Sequence, residues 1–153
     1  MTQTIPLQWK ISTRTLLTAI PGVSAVYLDR YLPVGPNELT AGPVITMREE
    51  KSTPATPGRT PAQSDGIFVT THKVEMEISL HFNIAVLDQI SLESDPFMNA
   101  VHGVMTGAVA QLPNVGGIQW AGKTPAAEGD AALVRMFYDC YLTTSARDFT
   151  LPI

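Results

Sequence analysis

The sequence predicts an α+β domain: a mostly antiparallel, twisted sheet of long strands with two helices packed on one of its faces. Three observations carry this prediction. From Val74 to Val86 the chain alternates without a fault, with Val74, Met76, Ile78, Leu80, Phe82, Ile84 and Val86 apolar and Glu75, Glu77, Ser79, His81, Asn83 and Ala85 polar or small between them. Only a strand turns that period of two into one apolar and one wet face. The stretch from Ala132 to Thr143 alternates in the same way, with Val134, Met136, Tyr138, Cys140 and Leu142 on one side and Arg135, Phe137, Asp139, Tyr141 and Thr143 on the other. Two segments of helical spacing stand apart from these strands, and no shift in composition marks a second domain, so residues 1–153 read as one domain.

At about 3.3 Å per residue the run from Val74 to Val86 reaches roughly 40 Å, about twice the usual strand. A strand that long outruns the core of a small domain. Part of it is therefore expected to serve a partner beyond the monomer.

Taken in order, residues 12–20 offer Ser12 or Thr13 as a helix cap and Leu16, Leu17 and Ile20 at helical spacing, with Pro21-Gly22 as the stop. Extension of this helix back through residues 2–10 meets Pro6. Ala25 to Tyr31 and Pro43 to Glu50 are rich in strand formers, and Pro33, Gly35, Pro36 and Asn37 between them predict a turn or wide hairpin loop. Lys51 to Gly66 has no apolar residue larger than alanine and predicts a long exposed loop, mobile alone or ordered by a partner. After the long strand, Asp95 is the expected cap of a second helix with Pro96 in its first turn and Pro113 at its end. Phe97, Val101, Val104, Ala108 and Leu112 form its apolar stripe, Asn99, His102 and Thr106 lie opposite, and Gly103 and Gly107 thin it for close approach to the sheet. Val115 to Trp120 then predicts a strand and Gly122 to Gly129 a loop.

Composition narrows the function classes. Ten basic residues against fourteen acidic ones give a net charge of −4, and the cations are scattered from Lys10 to Arg147. Specific grip on nucleic acid needs a basic patch, which is missing, whereas an acidic surface lets DNA slide past. Cys140 is the single cysteine, so no internal disulfide forms, and its alternating neighbourhood marks it as a small core residue. Residues 1–11 lack a basic start followed by an apolar segment, and no stretch approaches the roughly 20 apolar residues of a membrane span. The expectation is a soluble protein made in a cytoplasm.

Two patterns suggest chemistry. Gly117 to Thr124, ending in Gly122-Lys123-Thr124, satisfies the G-x-x-x-x-G-K-T phosphate loop, the basis of an alternative reading as a small nucleotide-binding or hydrolytic enzyme. Such a loop needs a buried strand before it and a helix directly after it, yet a helix precedes this one and Pro-Ala-Ala-Glu-Gly-Asp follows. Glu75 and Glu77 fall on one strand face roughly 6 to 7 Å apart, within range for paired acids, but no walled pocket is evident around them. His72, His81 and His102 do not share a metal-ligand spacing, and no G-x-S-x-G elbow exists. The expectation is therefore no catalytic residue, no metal and no cofactor.

The helix ending LLTAIPGV, the segments SAVYLDRY and PVITMREE, the strand VEMEISLHFNIAV, the helix after DPF and the closing strand ALVRMFYDCYL together resemble tail terminator proteins of long-tailed bacteriophages, or closely related neck and tail-completion proteins. The resemblance covers roughly residues 12–144 in element order, size and alternation. It implies a virion structural protein of the tail or neck, made in the host cytoplasm and without enzymatic activity. It further implies a hexameric ring that caps the tail tube, ends its polymerisation and docks the head connector or stopper protein, while DNA passes an acidic lining without specific binding and no membrane is involved. The residues expected at the partner or lumen interface are Lys73, Glu75, Glu77 and His81 on the polar strand face and Pro54, Pro57, Arg59 and Pro61 in the proline loop.

Overall fold

Five strands form one sheet in the spatial order β1-β2-β3-β5-β4. The computed structural model describes residues 2–54, 69–83, 90–128, 131–145 and 148–151. The strands are β1 (Ala25–Leu28), β2 (Val44–Pro54), β3 (Val69–Phe82), β4 (Val115–Glu128) and β5 (Ala131–Ser145), and the helices are α1 (Ile5–Thr18) and α2 (Ile90–Val104). The β2–β3, β3–β5 and β5–β4 pairs are antiparallel, while β1–β2 is parallel. The fold class is thus α+β with a mostly antiparallel sheet.

Both helices cover one face. Trp9, Leu17 and Ile20 from the α1 side and Ile90, Val101, Met105 and Val109 from the α2 side join Ile45, Met47, Val74, Met76, Ile78, Leu80, Val134, Met136, Tyr138, Cys140 and Leu142 in one core. The two alternating strands supply the middle of the sheet, where burial is deepest, because each apolar series faces the helices. Lys10 and Glu49 form an ion pair that ties α1 to β2 on this side.

Several boundaries differ from the sequence reading. Helix α1 begins at Ile5, since Pro6 falls in the first turn, where its missing N–H leaves no helical bond unmade. Strand β1 stops at Leu28, where Asp29 turns the chain at φ 55°. No hairpin joins β1 to β2. Their connection, residues 29–43, is long enough for the crossover that parallel strands require, about a dozen residues, and it seats Val34 and Leu39 on Val44 with Ala25 and Tyr27 packed alongside.

Helix α2 already includes Ile90, with Pro96 inside it, so Asp95 is not its cap. Burial of Ile90 and Ser94 holds this earlier turn in the helix despite the proline. The helix continues into a π-helical turn, Met105–Val109. That wider turn carries the buried stripe on through Val101, Met105 and Val109 at steps of four, with the predicted Phe97, Val104 and Leu112 packed against it half-buried and Ala108 left exposed. Gly103 and Gly107 have open space around them, so neither thins the helix against the sheet.

Strand β4 continues through the predicted loop to Glu128, which pairs with Ala131. Bulges at Val115–Gly117 and Trp120–Gly122 absorb the irregular glycines, and an edge strand tolerates Pro125 because one side of it makes no ladder bond. Strand β3 has 14 residues, from Val69 to Phe82, and Ile84 to Val86 lie outside the described residues. Its helix-side face does not outrun the core: burial continues from Phe82 to His72, where the Phe149 ring meets the imidazole edge-on at 4.8 Å.

Candidate functional site

The sheet face opposite the helices carries the polar series of β3. Register places Arg48 and Phe137 beside Glu77, Thr46 and Arg135 beside Ser79, and Lys51 and Asp139 beside Glu75. The expected wet face is wet at one end only. His81 is 1% exposed, with Nε2 and Thr46 Oγ1 2.9 Å apart, and Glu77 is 5% exposed. Lys73 and Glu75 reach solvent, where Lys73 Nζ stands 3.6 Å from Glu75 and 3.7 Å from Asp139. Pro54 is exposed at the end of β2, whereas Pro57, Arg59 and Pro61 lie outside the described residues.

Glu77 does not work with Glu75, the partner its spacing suggested. The bulge between Glu49 and Lys51 turns Glu50 onto the same face, and Glu50 and Glu77 share a hydrogen bond. Ser79 Oγ donates to Glu77 Oε1 at 2.6 Å, and Arg135 Nε lies 3.5 Å from the same oxygen. Burial pushes the Glu77 carboxyl up, but the bonds from Glu50 and Ser79 and the charges of Arg48 and Arg135 outweigh it and hold it below the usual range. The bond to Glu77, reinforced by burial and the like charge, pushes Glu50 up. Nothing in the sequence signals the bulge that creates this pair.

Arg48, Lys51, Lys73 and Arg135 oppose Glu50, Glu75, Glu77 and Asp139 on this face. It is charge-balanced rather than acidic.

A second surface, at the β4 edge, was not legible as a site. Asp95, Pro96, Met98, Asn99 and His102 from α2, with Trp120 from β4 and Met136 from β5, line a groove of about 470 Å³. His102 Nδ1 lies 3.0 Å from the Tyr138 hydroxyl, and the His102 and Tyr138 rings each pack against the Trp120 indole, at 5.5 and 5.4 Å. Burial pushes the Tyr138 phenol far up, so it stays neutral and its proton is the natural one for this bond. Trp120 remains 43% exposed. The groove is open to solvent and mixed in lining, with Pro96, Met98, Trp120 and Met136 beside the polar Asp95, Asn99 and His102.

The phosphate-loop pattern Gly117 to Thr124 lies wholly within β4 and leads along the strand to Glu128, not into a helix N-terminus. Cys140 sits in the core, where burial and the nearby Asp139 charge push its thiol up to about 12, far from the thiolate a nucleophile needs. Among the described residues no three His, Cys, Asp or Glu side chains converge as metal ligands, and no helix is long and apolar enough to cross a membrane. No protein-family model matches the chain, and no curated protein matches it.

Proposed function

We propose that this chain is a structural assembly subunit without enzymatic activity, similar to the tail terminator and neck proteins of long-tailed bacteriophages. In this reading, copies close into a ring, a hexamer in that family, which caps the tail tube, stops its growth and offers a docking surface to the head connector. The charge-balanced face around Lys73 and Glu75, with Pro54 and the segment of Pro57, Arg59 and Pro61, meets a partner, and DNA passes without specific binding.

The observation that supports this reading is the outer edge of β4. It is 14 residues long, and no strand pairs with it among the described residues. A sheet edge of that length exposes backbone donors and acceptors to any neighbour, and natural monomers keep such edges short or covered. Heterologous contacts made along an edge generate rings when the rotation between copies closes.

Molar mass by light scattering, on the protein alone and with purified tail tubes, tests the proposal. A ring in solution or on tubes is expected, and a strict monomer that ignores tubes overturns it. Reversal of charge at Lys73 and Glu75 is expected to weaken assembly or alter tail length; unchanged assembly and tail length would remove this face from the contact.

A further inference from the structure

The turn after β1 is fixed by a single guanidinium. Arg30 Nε donates to the Leu32 carbonyl at 3.2 Å, Nη2 donates to the Pro33 carbonyl at 2.9 Å and to Glu38 Oε2 at 2.8 Å, and Nη1 donates to Glu38 Oε1 at 2.6 Å. The same guanidinium lies 4.6 Å over the Tyr27 ring, and the Gly35 N–H donates to Glu38 Oε2 at 2.8 Å. Val34 and Leu39 anchor the far side of the turn in their own small cluster. Between these ties stand Tyr31, 67% exposed, and Leu32, 76% exposed. A rigid turn that holds two large apolar side chains in water has already met much of the ordering cost of binding, and tyrosine is among the residues enriched at interfaces.

The strand order puts this knob beside β1 at one edge of the sheet and the groove beside β4 at the other. A knob and a groove at opposite edges cannot meet within one chain. They can meet head to tail between copies, the geometry that builds a closed ring.

We propose that Tyr31 and Leu32 of one copy insert into the α2–β4 groove of the next and form the subunit contact of the ring, an inference that rests on the assembly reading above. Leu32 packs on the half-buried Met98 at the groove wall, and the Tyr31 ring covers the exposed indole of Trp120. Charges match across the contact. The knob follows exposed Asp29, and exposed Lys123, opposite Met136 on the strand next to the groove, carries the opposite charge. The glycine bulges and Pro125 break the outer edge of β4 into shorter unpaired stretches, so insertion of side chains into the groove beside it adds to the backbone contacts that edge can make.

Cysteine cross-linking tests the contact, in solution or, where the free chain is monomeric, on purified tail tubes. Leu32→Cys combined with Met98→Cys is expected to give, on mild oxidation, a ladder of covalent oligomers ending at the ring, while either single variant stops at dimers and buried Cys140 adds none. Leu32→Asp is expected to abolish rings while leaving the melting temperature of the subunit unchanged, and Met98→Lys in the same chain is expected to restore them. Rings that persist in Leu32→Asp and give no ladder overturn this contact but leave the assembly reading standing. Rings that persist in Leu32→Asp but no longer bind tubes also overturn it, because the knob then faces the tube. A wild-type chain that forms no ring on its own or on tubes overturns both.

Discussion

Glu50 and Glu77 share a hydrogen bond across the β2–β3 pair, and the two carboxyls are displaced in opposite directions, Glu50 up and Glu77 down. The signs fix the pH response. The contribution of Glu77 is present above the ordinary carboxylate range and is lost as pH falls through its lowered value. That of Glu50 is present below its ordinary value and is lost as pH rises through its raised one. As pH rises through the raised Glu50 value the shared proton is lost and the two carboxylates repel. Glu50→Gln keeps a donor to Glu77 without the second charge, so it is expected to gain about 0.5 kcal/mol at pH 7, a small figure because Glu50 is exposed and screened. The gain is expected to vanish near pH 4. Urea denaturation at the two pH values checks this, and an equal effect at both would dismiss the shared proton.

The bond between Tyr138 and His102 joins β5 to α2 beneath Trp120. Tyr138 is fully buried, so Tyr138→Phe removes a partner from His102 while preserving the ring packing. The expected cost is about 1 kcal/mol. A double-mutant cycle with His102→Ala separates the bond from the packing: a coupling near zero would show that the hydroxyl contributes nothing to holding α2 on the sheet.

These two pairs also mark where the sequence stops being legible. The cores of β3 and β5 could be read from alternation alone, because a buried face leaves no freedom in which residues are apolar. The second half of β4 could not, since Lys123, Thr124, Pro125, Ala126 and Ala127 form an exposed edge where nothing selects an alternating pattern. The parallel pairing of β1 was hidden for a different reason: a connection with Pro33, Gly35 and Pro36 looks the same whether it doubles back or crosses over, and burial of Val34 and Leu39 decides. Lys73 and Glu75 could be placed on one face, but Glu50 joins that face through a bulge that leaves no local trace. The groove is assembled from α2, β4 and β5 and has no motif to find.

Cys140 is expected to resist Ellman's reagent in the native protein at pH 8, because burial, with Asp139 adding to it, holds its thiol near 12. Full reaction is expected on unfolding in urea. Rapid stoichiometric labelling without denaturant would mean that the sheet opens at β5 far more readily than its position beside β3 implies.

Two glycine substitutions separate strain from packing. Gly42 lies at φ 142°, and a Cβ there would stand 2.4 Å from the backbone oxygen of Gly22, in the segment that leads into β2. Neither atom can move without shifting the Ser24 N–H, which donates to the Pro43 carbonyl at 2.9 Å. Gly42→Ala is therefore expected to cost at least about 2 kcal/mol. Gly103, near the end of α2, would place a Cβ in open space, and Gly103→Ala is expected to stabilise by about 0.5 to 1 kcal/mol because it lowers the entropy lost on forming the helix. Thermal or urea unfolding of the two variants checks both signs at once. Similar small effects at the two positions would mean that the approach of Gly42 to Gly22 relaxes freely and does not hold β1 and β2 together.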